Sequence, residues 1–415
     1  MDLEQHKNNT VFELFSDNKE NNTEKKENHR HADFNSGYRG ELIRILLTAG
    51  TISYKGLHML NGYHYMYTKK LKQMREEGLT STVHLGTRRA ERLKAFHKTK
   101  NMYDKKIPAE YLEFFQTYVL HKAYKYIGSY DSEKTRAERA YRESEVFLIS
   151  AGAGIRIFPE EKPLLFKNES LPKDDSMYFS STEVKSYGEY QFSPQSKKTG
   201  KETKINSRAV GVIISGMEQY VLYHTGKRQL KWNYTSEHQF VKATQRLLFK
   251  STDWIPADHK VDSCILFYQS NEVVEKIFQL SEKNQSLLNV NSGYAKMYPL
   301  PYDENGKKML RLMVHPGWKQ ELLNSYLEES YQKDVYKSNI VCDGKNNEIR
   351  YLLFCIPDLV RLYKFIEAAK WSGIPDNYVI ICFEHQINLI KALSKGTVKI
   401  RAANLDEYIK FITCN

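Results

Sequence analysis

NGYHYMYTKKLKQMREEGL, from Asn61 to Leu79, decides how the basic end of the chain is read. Asn61-Gly62 is a turn dipeptide. From Tyr63 to Glu77 the apolar residues Tyr67, Leu71 and Met74 recur at helical spacing, so one stripe of a helix faces a core. Gly78 supplies the left-handed turn that ends such a helix, and Leu79 re-enters the core behind it. Tyr65, Thr68, Lys69 and Lys72 then fall off the buried stripe. The crowd of tyrosines raises the idea of a phosphotyrosine nucleophile. That chemistry needs a metal or arginines holding the phosphate beside the phenol, and no such set accompanies Tyr63, Tyr65 or Tyr67. Packing or base stacking is the better use for them.

Working outward, GELIRILLTAG upstream reads as a helix with Leu42, Ile45 and Leu46 on one face. TISYKGLHML is expected to be a short second helix with Ser53 as its N-cap. Downstream, LTSTVHLGTRRAERLKAF reads as a strand over Thr80–Leu85, a turn at Gly86 and a basic return. Three short helices followed by a β-hairpin is the plan of a winged helix-turn-helix. L-x-x-M-x-x-x-G-L, at Leu71, Met74, Gly78 and Leu79, resembles the end of a bacterial winged-helix recognition helix. Charge supports an acidic partner. The chain carries +12, and between Arg39 and Lys106 fifteen Lys/Arg face five Asp/Glu, a local +10. Such concentration is hard to explain as general solubility and points to nucleic acid. If the helix from Tyr63 to Glu77 enters a major groove, Tyr65, Thr68, Lys69 and Lys72 form its reading edge. Arg75, His84, Arg88 and Arg89 would reach flanking phosphates or the minor groove. The competing reading is a protein-interaction adaptor whose lysines are a solvated face.

The 415 residues favour two or three domains. At 41% hydrophobic residues the chain can build a core, yet no apolar run is long enough for a bilayer. MDLEQHKNNT lacks the apolar block of a signal peptide, so a cytoplasmic protein with no membrane partner is expected. Residues 1–35 are rich in Asn, Glu, Lys and His and are expected to form a disordered tail. His29-Arg30-His31 lies within it and is not read as a metal site. The five cysteines, Cys264, Cys342, Cys355, Cys382 and Cys414, lack metal-type pairing and read as free thiols of a reducing compartment.

IPAEYLEFFQTYVLHKAYKYIGSY predicts an amphipathic helix from Ile107 to Tyr130. RAERAYRESEVFLISAGAGI predicts another from Arg136, breaking at Gly152 or Gly154. Strands are expected in SMYFSSTEVKSYG, SRAVGVIIS and EQYVLYHT, with a flexible insertion over 191–206. Helix SEHQFVKATQRLLF and strand CILFYQS follow. The remainder alternates short apolar runs with helical periods, which indicates an α/β sheet with helices on its faces. The order helix, three strands, helix, strand between about 136 and 270 resembles the core of restriction-endonuclease-like folds. With the winged helix and the local motifs SRAVGVIIS, YVLYHTG and LKW, the chain resembles the replication-relaxation family of plasmids and integrative conjugative elements. The expected fold is therefore α/β: a winged helix-turn-helix at 36–106, a helical linker at 107–135, a mixed α/β core resembling restriction endonucleases at 136–290, and a C-terminal α/β region at 291–415. The resemblance implies a sequence-specific double-stranded DNA-binding protein of a mobile element, acting in replication, transfer or transcriptional control. A relaxase or replication protein is the implied partner, and a homodimer reading two half-sites fits the plan.

An enzyme is the alternative. A restriction-type nuclease needs an Asp and a Glu-x-Lys pair to hold a divalent metal and activate water. SRAVGVIIS ends without an acid, and EQYVLYHT has Tyr and His where Glu-x-Lys would stand. Glu183-Val184-Lys185 matches the pattern with Asp174 and Asp175 upstream, and Glu145 could join them, but the signature reads as degenerate. Cys382 and His385 in ICFEHQ are half of a zinc site with no second pair nearby, better read as a buried strand cysteine and a helix-start histidine. No Gly-rich phosphate loop is present. The expectation is no catalytic residue, no bound metal and no cofactor.

Overall fold

The computed structural model describes residues 37–85, 87–93, 134–163, 170–185, 187–188, 205–252, 255–256, 258–279, 286–332 and 341–414. The expected tail with its His-Arg-His triplet, the helix expected over 107–130 and nearly all of the 191–206 insertion lie outside them.

The basic end begins with α1 (Gly37–Ala49) and β1 (Ile52–Ser53), followed by a 3-10 turn over Lys55–Met59. Next come α2 (His64–Glu76) and the hairpin β2 (Thr80–Leu85) with β3 (Arg88–Leu93). β1 pairs antiparallel with β3, which gives the three-stranded order β1-β3-β2. TISYKGLHML is thus not an α-helix. Its start, with β-branched Thr51 and Ile52, completes the free edge of β3. Gly56 then disfavours a longer helix. Ser53 is the last residue of β1 rather than the N-cap, which is Tyr54, though its Oγ accepts the Gly56 N–H at 3.0 Å.

α3 (Lys134–Gly152) is buried all round from Ser144 to Ser150, as the apolar run VFLISA requires. One side of it meets the 3-10 turn and β1, the other the central sheet. Gly152 permits this closeness, because a Cβ there would lie 1.8 Å from the Met59 carbonyl oxygen. The central sheet has the order β4-β5-β6-β7-β8. Its strands are β4 (Ser176–Ser180), β5 (Gly211–Ser215), β6 (Glu218–Gly226), β7 (Ser263–Tyr268) and β8 (Lys296–Pro301). β4, β5 and β6 run antiparallel, and β7 and β8 continue parallel to β6. α4 (Tyr234–Ser251) and α5 (Asn271–Gln279) make the two parallel crossovers. The helix, three strands, helix, strand order expected between 136 and 270 is present as α3, β4, β5, β6, α4 and β7.

One strand expectation is corrected. SMYFSSTEVKSYG leaves the sheet at Ser180, and residues 181–185 are helical. Ser180-Ser-Thr-Glu183 is a capping box: the Ser180 N–H donates to Glu183 Oε2 at 2.7 Å, and the Glu183 N–H donates to Ser180 Oγ at 3.2 Å.

After β8 come α6 (Glu304–Met313), α7 (Trp318–Tyr326) and the single turn α8 (Glu329–Gln332). A second sheet follows, of order β12-β11-β10-β9: β9 (Gly344–Asn346), β10 (Ile349–Leu353), β11 (Tyr378–Phe383) and β12 (Lys399–Ala403). α9 (Leu359–Ser372) and α10 (Ile387–Ser394) connect its parallel strands, and α11 (Leu405–Cys414) closes the chain. Successive strand residues split between two cores, for example Tyr220 and Leu222 against Val221 and Tyr223. The first core runs from Leu42 on α1 to Tyr408 on α11, so the basic end is packed onto the α3 and α6 side of the sheet. The boundary expected near 290 falls just before β8, the fifth strand of the central sheet. Among the described residues no helix is long and apolar enough to cross a membrane.

Candidate nucleic-acid interface

α2 is two-faced. Tyr67, Leu71 and Met74 are buried, and at 100° per residue the opposite stripe carries Tyr65, Lys69 and Lys72. The inner face is fixed by polar bonds as well as packing. Tyr67 Oη donates to Glu41 Oε2 at 2.5 Å, and its ring meets Tyr38 edge-on at 4.8 Å between centroids. Burial first, then Glu41, pushes the Tyr67 phenol pKa far up, so it stays protonated and serves as a donor. The helix ends in a Schellman motif. The Leu79 N–H reaches the Met74 carbonyl at 2.9 Å, the Gly78 N–H reaches that of Arg75 at 3.0 Å, and Gly78 sits at φ +77°. Arg39 ties the C-terminal turn to α1 through a two-pronged pair with Glu77.

The outer stripe is open. Tyr65 is 70% exposed, and Tyr63, which the sequence reading left out of the reading edge, is 78% exposed. Lys69 is exposed and has no ion pair among the described residues. Lys72 is exposed and stands 3.9 Å from Glu76, a solvated i,i+4 pair of little strength. Thr68 is half-buried and turns its hydroxyl back to the His64 carbonyl at 3.1 Å, so this donor is already engaged. Lys70 and Lys55, not singled out from the sequence, also lack an ion pair among the described residues.

The flanking arginines are less free than their spacing implies. Glu91 on β3 is completely buried. Its carboxylate accepts from Tyr54 Oη at 2.8 Å, Thr82 Oγ1 at 3.1 Å and Arg75 Nε at 3.4 Å, and Arg75 also donates to Tyr54 Oη. Burial, and next the bond to Glu91, pushes the Tyr54 pKa up to about 12. Arg75 therefore neutralises a buried acid and locks α2 to the hairpin. Arg88 is held by Glu138 on α3 at 3.4 Å and lies over the Tyr141 ring. Arg89 stacks over Tyr54 and remains exposed, as does His84, its cross-strand partner. The sequence offered little to reveal Glu91, one acid inside the basic run RRAERLK.

Of the residues weighed for a nuclease, Asp174 is exposed, and Glu183, Lys185, Asp175 and Glu145 are engaged in structural bonds. Glu183 is buried; Oε1 accepts from Lys162 at 2.8 Å and Oε2 serves the capping box. Burial raises its pKa, but Lys162 and Ser180 outweigh that and hold it below the usual value. Lys185 donates to the Ser207 carbonyl at 3.3 Å, and Asp175 pairs with Arg156 at 2.7 Å. Glu145 is buried 3.0 Å from His224 Nε2 and accepts from Gln269 Nε2 at 3.2 Å on each oxygen. The Gly226 N–H donates to His224 Nδ1, while Nε2 stands near the Glu145 carboxylate without a hydrogen bond to it. This buried group joins α3 to the ends of β6 and β7. Cys382 is buried in β11, and His385, its pKa lowered by burial, lies in the 3-10 turn before α10. Cys264, Cys342, Cys355 and Cys382 are buried free thiols. No group of three or more His, Cys, Asp or Glu among the described residues is placed to hold a metal ion. In comparisons with protein-family models, with curated proteins and with solved structures, the chain matches none of them.

Proposed function

We propose that residues 37–93 act as a winged helix-turn-helix that binds double-stranded DNA, with α2 as the reading helix and β2–β3 as the wing. The observation that carries this reading is the outer stripe of α2: Lys69, without an ion pair among the described residues, weakly paired Lys72 and the exposed ring of Tyr65, opposite a fully buried Tyr67–Leu71–Met74 face, with the exposed N-cap Tyr63 beside it. Lysines on such a stripe suit phosphates or guanine edges, and exposed tyrosines suit sugars and bases. The α/β remainder, with the element order of a restriction-endonuclease-like core, serves as the scaffold that holds the wing and docks a partner such as a relaxase or replication protein. The role is that of a sequence-specific DNA-binding protein of a mobile element, as the resemblance to the replication-relaxation family implies.

The nuclease reading has less support, because Glu183 and Lys185 are bound to Lys162, Ser180 and Ser207. A gel-shift titration with the full chain and duplex DNA at low salt tests the proposal. A retarded complex that weakens in the Lys69→Ala/Lys72→Ala variant is expected. The absence of any complex overturns it in favour of an adaptor that does not touch DNA.

A further inference from the structure

We propose that Arg88, Arg142 and Arg228 hold one backbone phosphate of the duplex that α2 engages, so that the central sheet as well as the winged helix grips the DNA. The inference rests on the DNA-binding reading and extends it to a surface outside residues 37–93.

Three separate elements carry these side chains: Arg88 and Arg142 share Glu138, and Arg142 Nε lies 3.7 Å from where a Cβ on Gly226, two residues before Arg228, would stand. Arg88 opens β3 beside the hairpin tip, Arg142 lies on the half-exposed side of α3, and Arg228 is exposed in the turn that ends β6. The acid between them is Glu138, shared at 3.4 Å with Arg88 and at 4.0 Å with Arg142. Glu145, one turn beyond Arg142, is occupied by His224 and Gln269. Arg142 Nε is enclosed and has no hydrogen-bond partner among the described residues. Tyr141 lies under the Arg88 guanidinium at 5.0 Å and helps fix its plane. Exposed Lys227 adds a further positive charge next to Arg228.

The cluster is short of negative charge. Burial lowers the Arg142 pKa, and the charges of Arg88 and Arg228 lower it further against the pull of Glu138 and Glu145. A phosphate set against the exposed ends of the three guanidinium groups relieves their mutual repulsion. A phosphodiester suits this, since guanidinium forks match phosphate oxygens and the patch adjoins the hairpin of the +10 segment.

The test is fluorescence anisotropy of a labelled duplex with the full chain over a range of salt. Each lost phosphate contact flattens the log–log salt dependence by about 0.9. With one phosphate at stake, Arg228→Gln should flatten it by part of that amount and Arg142→Gln/Arg228→Gln by up to about 0.9. The exposed Arg228→Gln variant decides the matter should the double variant melt early in circular dichroism. Wild-type slopes in Arg228→Gln, with a reduced slope in Lys69→Ala/Lys72→Ala, overturn this patch and leave the α2 reading standing. No binding by the wild-type chain removes both.

Discussion

Arg75 offers a sharp test, because its spacing assigns it to DNA and its contacts assign it to the fold. It is 42% exposed, yet its Nε is 3.4 Å from the fully buried Glu91 carboxylate. Removing one member of a fully buried ion pair costs about 3–5 kcal/mol, since a charge is stranded. Here the cation is partly in water and Tyr54 and Thr82 still donate to Glu91, so Arg75→Ala should cost less, about 1–2 kcal/mol. A surface arginine that only awaited DNA would change stability by no more than about 0.5 kcal/mol. The assay is a double-mutant cycle with Glu91→Gln, read by urea unfolding of the full chain. Neutralising Glu91 removes the stranded charge, so the two changes should couple by about 1 kcal/mol. Additivity within about 0.3–0.5 kcal/mol, or an Arg75→Ala variant as stable as wild type, refutes the account of the Glu91 network.

Two glycines should behave differently. Gly152→Ala places a methyl 1.8 Å from a backbone oxygen and should destabilise by about 3 kcal/mol or more, seen in soluble yield and urea melts. Gly78→Ala meets no atom within 4 Å and should cost only the left-handed strain, about 1–2 kcal/mol. Glu183 carries a pH dependence. Its folded pKa lies below the usual 4.5, so its stabilising share is complete above that value and is lost as pH falls through the lower folded one. The wild-type Tm should drop below pH 4.5 more steeply than that of Glu183→Gln, and equal slopes would contradict the Lys162–Glu183 assignment.

The strongly periodic parts of the sequence were legible. The stripe Tyr67, Leu71 and Met74 with the Gly78 stop predicts α2 and its cap, and the apolar runs EQYVLYHT and CILFYQS predict the strands β6 and β7. Local signals misled where a partner or cap decided the outcome. TISYKGLHML has capping and apolar residues enough for a helix, but β3 had an open edge for Ile52 and Ser53 to fill. SSTEVKSYG is rich in strand formers, yet the Ser180–Glu183 capping box starts a helix. At the candidate interface, exposure of Tyr65, Lys69 and Lys72 follows from helix geometry and so was readable. The engagement of Arg75 with Glu91 and of Arg88 with Glu138 depends on which residues face each other across the hairpin and α3, a tertiary fact that spacing alone does not carry.

The central claim is that α2 presents Lys69 and Lys72 to a DNA backbone. Its most direct test is the salt dependence of duplex binding by the full chain, compared with Lys69→Ala/Lys72→Ala of equal Tm. The account predicts micromolar or tighter binding at low salt and a log–log slope flattened by about two units in the variant. No binding at low salt, or an identical slope in both proteins, would contradict it.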